Sequence, residues 1–558
     1  ELSLDVHVGL SSGPIATGML ERGDLTFAAW GEPVRRALAL AALSRADEVL
    51  VDVSTATSAT ADRWVLAPAT DVIDLDGRPV LPGFQDSHAH PSQAGLELAA
   101  CHLLDIAHNE QAYLDVIAAY AAQTDRPWIT GAGWSMEAFE RGIPTAAALD
   151  AVVSDRPVML WNSDHHGAWV NSKALEIAGF TKDTPDPPDG RFDRDEHGNP
   201  IGSLQEGAVE LILPFIPEPT KEERVAGILA GQEYLLALGV TAWQDAMVDP
   251  ATHEAYVTLD GRGGLIADVI GGLWWERSQG PEQVAEFAAR RDATPPGRYR
   301  PTSVKVMLDG VAENHTASML EPYLDGSGNP TANRGIDFID PDDLRRYVTM
   351  LDAAGFQVHF HALGDRAVRQ GLDAIEAALR ANGDEGRRHH LAHLQVVDRA
   401  DVPRFAQLGA GANAQPLWAR HEDQMDVLTI PFLDPAAANH QYPWRSLLDG
   451  GATLAFGSDW PVSSPDPLLG IGTAFSRTKP TSRPEPFLPE QRITMEEAIA
   501  AYTAGSAWAA HRETHTGQVA VGYDADLVVI DRPLETEKDA FAAHVNLTMV
   551  QGAVVYEK

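Results

Sequence analysis

Short apolar runs recur along most of this chain, separated by longer stretches in which apolar residues fall three and four positions apart. The first run is Val80-Leu-Pro-Gly-Phe, continuing to His90; the others are Val240–Asp245, Ile266–Gly271, Val304–Asp309, Gln357–His361, His390–Gln395, Gly411–Gln415 and Thr453–Asp459. Apolar runs of this length, not strictly alternating, read as strands covered on both faces. Between them Pro341–Ala354 and Arg366–Ala381 are amphipathic, the first opened by Asp340 as N-cap and Pro341 at the first helical position. Eight strand-then-helix units predict an α/β fold, a closed parallel (β/α)8 barrel of the TIM type over residues 81–510. Such a barrel needs about 250 residues, so the surplus is assigned to an insertion over residues 91–225, after the first strand. That insertion reads as helical and irregular, with Trp128–Trp134, Asp155–His166 and a Pro/Asp/Gly-rich loop from Thr181 to Pro200.

Residues 1–60 have another texture. Leu4–Leu10 alternates like a strand, Ser11–Pro14 turns, Val34–Ala46 has helical periodicity and Glu48–Val53 is strand-like, an α+β fragment. Val8–Gly18, Trp30–Ala37 and Glu48–Val51 resemble the C-terminal half of a class III nucleotide cyclase domain. Where that family carries its catalytic Asn and Arg, this chain has Arg35 and Ala39. The family's metal-binding aspartates would lie in a half absent here, so the resemblance implies a remnant or fusion, with an ordinary α+β appendage as the alternative. Residues 61–80 are read as a linker and a strand leading into the barrel, and residues 511–558 as a separate C-terminal portion.

Composition narrows the partners. The chain has 558 residues, 44% of them apolar, enough for a large core. Lys and Arg number 42 against 80 Asp and Glu, a formal net charge of −38, which argues against nucleic acid and anionic membrane as partners. A small-molecule substrate is expected, with a homo-oligomer left open. The single cysteine, Cys101, excludes an intrachain disulfide and a thiolate zinc cluster, and reads as a small core residue. No run of about 18 apolar residues marks a membrane span. Glu1 in place of Met is read as a missing true N-terminus, so a cytoplasmic location is only a default.

The candidate chemistry gathers at the strand ends. His88 and His90 lie two residues apart, so on a strand both imidazoles share a face and can hold one divalent metal. Lys305 sits inside the otherwise apolar Val304–Leu308, where a charged amine is costly unless paired or neutralised; the chain has only seven lysines. His361, His393 and Asp459 follow three further apolar runs. Each alone is more often a satisfied core or loop residue. Together, donors from strands 1, 4, 5, 6 and 8 converge on the barrel's C-terminal mouth, where active sites of this fold are built.

These residues sit in Leu81-Pro-Gly-Phe-Gln-Asp-Ser-His-Ala-His90, Val304-Lys-Val-Met-Leu-Asp-Gly310, His361-Ala-Leu-Gly-Asp-Arg-Ala367, His393-Leu-Gln395 and Gly457-Ser-Asp-Trp-Pro-Val462. The set resembles the amidohydrolase superfamily, specifically its amidohydrolase-3 (YtcJ-like) branch, over about Val72 to Lys558. Gly131–Trp134 and Asp164–Leu175 in the insertion carry the same resemblance. Gly517–Asp531 and Thr548–Tyr556 look like the small β-sandwich flanking such barrels, although the cyclase-like stretch occupies the place where that family supplies N-terminal sandwich strands.

The resemblance implies one metal on His88, His90 and Asp459 and a second on His361 and His393, bridged by Lys305 carboxylated on its amine. The cofactor would be one or two divalent ions, Zn2+ first, with Mn2+ or Fe2+ as alternatives. Asp459 would act as general base and then acid. Trp134, His166 and Asp309 are the expected substrate contacts; His359 is expected in a packing or supporting role, and Asp365 and Arg366 as a helix cap and surface pair. The expected activity is hydrolysis of an amide-like, non-peptide C–N bond such as that of an N-substituted formamide. Hydrolysis of an ester or cyclic amide, or deamination, is the alternative; a nucleotide-signalling protein with a non-catalytic barrel is the alternative of another class.

Overall fold

A computed structural model of the chain describes Val8–Leu10, Val49–Val51, Ile73, Leu75 and residues 77–104, 106–479 and 485–558. All eight predicted barrel strands are present: β1 (Phe84–Ala89), β2 (Val240–Val248), β3 (Asp268–Trp274), β4 (Tyr299–Met307), β5 (Gln357–Ala362), β6 (His390–His393), β7 (Gly411–Ala414) and β8 (Thr453–Phe456). They pair in parallel in sequence order, from β1 to β8. Register places Lys305 opposite His359, Met307 opposite His361, and Ala362 opposite His393. Their outer faces join one continuous core running from Phe84 and Trp243 through Val304, Phe360 and Leu391 to Phe456. The helices between them supply the other half of that core, which is why the strands read as near-continuous apolar runs. Asp340 caps helix Pro341–Ala353 as expected, accepting from the backbone N–H of Asp342 and Asp343.

The seam between β8 and β1 is closed by individual bonds rather than a regular ladder. Ser87 Oγ donates to Phe456 O at 2.8 Å and Asn413 Nδ2 to Ser87 O at 2.8 Å. Just beyond the strands, Asp459 N donates to His88 O and His90 N to Trp460 O, both at 2.7 Å. Gly457 is required by this approach, because a Cβ there would lie 2.5 Å from His88 N. Asp86 ties the seam from beneath, accepting from Ser458 Oγ at 2.5 Å, Ser458 N at 3.0 Å and His88 N at 3.1 Å.

The insertion is more ordered than its sequence suggests. It carries a six-stranded sheet in the order Cys101–His102, Ile129–Trp134, Val158–Asn162, Gly167–Val170, Pro200–Glu206, Gly190–Arg194. The first three strands are parallel and the rest antiparallel. Two apolar clusters of its own, one around Cys101, Trp134 and Trp169 and one around Trp128, Phe192 and Leu204, hold it. These strands are short and rich in glycine and polar residues, which masks them from a reading by periodicity.

At the other end, Val80–Pro82 pairs antiparallel with Leu527–Ile530 in a four-stranded sheet completed by Val545–Val550 and Ala553–Glu557. Where a sandwich is expected, the described residues form one sheet. Val528, Ile530 and Val545 face the barrel core, while Leu527, Val529, Leu547 and Met549 are covered by Ile73, Leu75 and Val519. In the cyclase-like stretch, Val8–Leu10 pairs in parallel with Val49–Val51; the expected turn, helix and linker lie outside the described residues. Among the described residues no helix is long and apolar enough to cross a membrane.

Candidate metal centre and active site

Three donors meet over the seam. His88 is fully buried in β1, and His90 follows the strand as the residue preceding helix Pro91–Leu98. Their Nε2 atoms lie 3.1 and 2.9 Å from the same oxygen, Oδ1 of Asp459. Asp459 reaches this position with φ +59, and His393, at the end of β6, with φ +77. A non-glycine residue in this region costs on the order of 1 kcal/mol or more. The Asp459 N–H to His88 O bond and the His393 N–H to Gln415 Oε1 bond, at 2.9 Å, hold the two residues there. The departure from extended backbone turns both side chains into the mouth.

Around this trio lie the remaining expected ligands. Lys305 is 2% exposed, and together with His361 and His393 it lines the same cavity of about 480 Å3. The ring of His393 is 4.7 Å from that of His88 and 4.5 Å from that of His361, centre to centre. His359 shares the strand face of His361 but lies deeper, its Nε2 2.8 Å from His88 Nδ1, so that it orients His88 from behind.

The electrostatics suit a divalent cation. Burial, and then the charge of Lys305, push His88 down to about 3; burial also holds His361 and His393 well below the usual histidine range. All three are therefore neutral donors at neutral pH. Burial pushes Asp459 up, but the electrostatic pull of His88 and His393 and the hydrogen bond to His90 outweigh it and keep the carboxyl well below the usual carboxylate range. His88 Nε2, His90 Nδ1 and both ring nitrogens of His393 are buried without a hydrogen-bond partner among the described residues. Unsatisfied imidazole nitrogens beside an ionised carboxylate cost free energy unless something coordinates them. The His88, His90 and Asp459 donor atoms lie within 4.8 Å of one another, and this nitrogen and oxygen set fits a zinc-class ion. Lys305 is drawn down to about 8 by burial, with Asp459 opposing.

The expected substrate contacts divide. His166 lines the cavity, its Nδ1 2.9 Å from Glu206 Oε2 and its ring 5.3 Å from that of His361. Burial lowers its pKa, but Glu206 outweighs this and raises it to about 9. Trp134 does not reach the cavity. It is fully buried in the insertion core, donates from Nε1 to Leu160 O at 2.8 Å, and packs edge-on to Phe139 and Trp169. Asp309 likewise does not line the cavity, although its Oδ1 lies 3.8 Å from His361 Nε2. Its carboxylate is taken up by the backbone N–H groups of Ser318, Leu363 and Gly364 at 2.9, 3.1 and 2.8 Å, which fix the loops after β4 and β5.

Asp365 and Arg366 belong to the same loop support, Asp365 accepting from Leu320 N and Arg366 donating to Ser318 Oγ, both at 2.7 Å. Cys101 is buried in the insertion core as expected. Sequence reasoning missed Glu206, Arg277, Trp161 and Trp418, which also line the cavity. Glu206 stands at φ +53 and also accepts from Thr316 Oγ1 at 2.7 Å. No spacing or motif announces it, since its partners come from distant parts of the chain.

Comparison with known proteins accords with this geometry. A model of the amidohydrolase family matches residues 71–556. The chain is 30% identical over 508 residues to Protein LONG AFTER FAR-RED 3 of Arabidopsis thaliana, covering 88% of this chain and 84% of that one. It is 30% identical over 529 residues to putative amidohydrolase YtcJ of Bacillus subtilis, covering 88% and 92%. With N-substituted formamide deformylase of Arthrobacter pascens it shares 26% identity over 529 residues, 89% of this chain and 92% of that one. Among solved structures, an uncharacterized metal-dependent hydrolase from Pyrococcus horikoshii superposes with a TM-score of 0.66 at 25% identity, over 84% of this chain and 89% of that one.

Proposed function

The chain belongs to the amidohydrolase family, and from that premise we propose that it hydrolyses a non-peptide amide-like bond, of the N-substituted formamide type, at the mouth of the barrel. It is a metal-dependent hydrolase of carbon–nitrogen bonds. The observation that carries the proposal is the meeting of His88, His90 and Asp459 around one point, with buried imidazole nitrogens left open for a ligand. The likeness to N-substituted formamide deformylase supports the choice of bond.

In this reading His88, His90 and Asp459 would hold one ion, and His361, His393 and a modified Lys305 would serve a second. At about 8, the Lys305 amine is partly neutral at physiological pH, and only a neutral amine can add carbon dioxide, losing a proton to form a carbamate that would offer oxygen donors to the metal. When bound, the metal polarises the scissile carbonyl and lowers the pKa of water to near neutrality. Asp459, ionised and at the mouth, accepts the proton of the attacking water and delivers it to the departing nitrogen. His166 is held protonated by Glu206, so its second N–H is a donor to the carbonyl oxygen as negative charge develops there. The walls of Trp161, Trp274 and Trp418 exclude water around the apolar part of the substrate.

A panel of amides, formamides, esters and aminated heterocycles, incubated with metal-replete protein, tests the bond assignment. Metal analysis and intact mass test the centre. Fewer than about one zinc-class ion per chain, together with a Lys305 lacking the mass of carbon dioxide, would rule out the binuclear arrangement.

A further inference from the structure

A second chamber, of about 350 Å3, adjoins the catalytic cavity. Asp164, Val311, Leu363, Trp418 and Val462 line both, so the two spaces adjoin along these side chains. Trp418 is the largest of the shared side chains. Its ring stacks on His393, 5.2 Å between centres and 5° from parallel, and its Nε1 donates to Ser463 Oγ at 3.2 Å.

The polar groups of this chamber are biased toward acceptors. Gln395 is 1% exposed; its Nε2 donates to Gln441 Oε1 at 3.1 Å, and its Oε1 is buried with no partner among the described residues. Asp164 accepts from His166 N through Oδ1 at 2.9 Å, and its Oδ2 is likewise buried and unpartnered. Glu313 accepts from Thr429 Oγ1 at 3.1 Å through Oε1. No ion pair involves Asp164 or Glu313 among the described residues, whereas Arg420, at the same chamber, is taken up by Glu422 at 3.3 Å. Burial raises both carboxyls, Glu313 to about 7, and outweighs the opposing charge of His166. Trp418, Trp460 and Tyr442 add aromatic surface, which favours an ammonium group.

An acceptor-lined, aromatic chamber beside a hydrolytic centre is complementary to a cation that donates hydrogen bonds. Hydrolysis of an amide breaks the C–N bond and places the oxygen of water on the carbonyl carbon. One proton of that water goes to the nitrogen, and the acid formed passes its remaining proton to solvent or to the amine, leaving a carboxylate and an ammonium ion. We propose that the chamber is the subsite for the amine half of the substrate, and that the preferred substrates are amides whose amine half carries a second, protonated amino group a few methylenes from the scissile nitrogen. The inference rests on the C–N hydrolysis reading for its substrate class, though not for the cation site itself. The net charge of −38 draws such cations toward the protein.

Calorimetry on the metal-replete full chain with 1,5-diaminopentane and with pentan-1-amine tests the site without requiring turnover. The diamine is expected to bind at least about ten-fold more tightly, one charge-assisted hydrogen bond being worth roughly that factor. The preference should collapse toward unity in Glu313→Gln and in Gln395→Leu, each checked for folding by thermal denaturation, with Asp164→Asn as the substitute if either fails to fold. In turnover, N-formyl-1,5-diaminopentane should exceed N-pentylformamide in kcat/KM by a similar factor. Equal binding of the two amines, or a preference unchanged in folded variants, overturns the proposal. Selective diamine binding without hydrolysis of any amide supports the site and instead refutes the C–N reading.

Discussion

Glu206→Gln isolates the role of His166 while keeping the side-chain volume and an oxygen to accept from Thr316 Oγ1. In the native arrangement Glu206 lifts His166 from its ordinary 6.5 to about 9 against the pull of burial. That difference corresponds to roughly 3 kcal/mol favouring the imidazolium, at about 1.36 kcal/mol per pH unit. With a neutral amide in its place, burial dominates and His166 titrates at or below its ordinary value. At pH 8 its charged fraction then falls from about nine-tenths to a few per cent, a loss on the order of thirty-fold. If the imidazolium donates to the developing oxyanion, kcat/KM of the variant at pH 8 falls by about that factor, while at pH 5.5 it stays within a few-fold of the parent.

Stability should follow the same linkage. A raised histidine pKa contributes fully below 6.5 and is lost as pH rises through about 9; Glu206, whose pKa is lowered, contributes above its ordinary 4.5 and is lost on acidification below it. The variant's deficit in thermal midpoint is therefore greatest between about pH 4.5 and 6.5 and has largely disappeared by pH 10. The assay is hydrolysis of the best amide from the panel between pH 5 and 10, with an NMR titration of His166 in parallel. An alkaline limb of kcat/KM at the same pH in both proteins, with the His166 titration shifted as described, would refute the donor role.

Other outcomes follow from particular contacts. Asp459→Asn should lower kcat by about 10²- to 10⁴-fold, read as single-turnover hydrolysis, with bound metal measured separately. Unchanged turnover would remove Asp459 from proton transfer. Chelation should abolish activity and lower the thermal midpoint, because buried nitrogens of His88 and His393 lose their coordination partner; a midpoint that does not respond to re-added Zn2+ would count against the centre. Trp134→Ala should cost about 3–5 kcal/mol of stability in denaturant titration with KM of the folded enzyme little changed, and the opposite pattern would return Trp134 to the substrate. Gly457→Ala should destabilise the seam by a few kcal/mol, seen as a lower midpoint together with weakened metal binding.

The barrel was legible because its strands are buried on both faces and each is followed by an amphipathic helix, a pattern that survives in one dimension. His88, His90, Lys305, His361, His393 and Asp459 were legible because each terminates or interrupts such a strand with a residue type that apolar strands avoid. The insertion sheet was not, since strands such as Gly167–Val170 belong to no repeated strand-then-helix series and are defined by antiparallel pairing with strands elsewhere in the insertion. Trp134 and Asp309 misled for a common reason. An aromatic or a carboxylate near a motif looks functional until its neighbours are known, and here those neighbours are Phe139 and Trp169 for the one and three backbone N–H groups for the other. Glu206 and Trp418 were invisible because their importance arises only from what the fold brings beside them.

The seam has a consequence for how the protein comes into being on the ribosome. His90 and Asp459 lie 369 positions apart, at the first and last staves of the barrel, and neither has its counterpart until β8 has been made. A nascent polypeptide that stalls before Gly457 can bury many of its strands yet cannot assemble the His88, His90 and Asp459 cluster. The His88, His90 and Asp459 cluster is therefore acquired in one event once β8 is made, so products terminated before it should be catalytically silent.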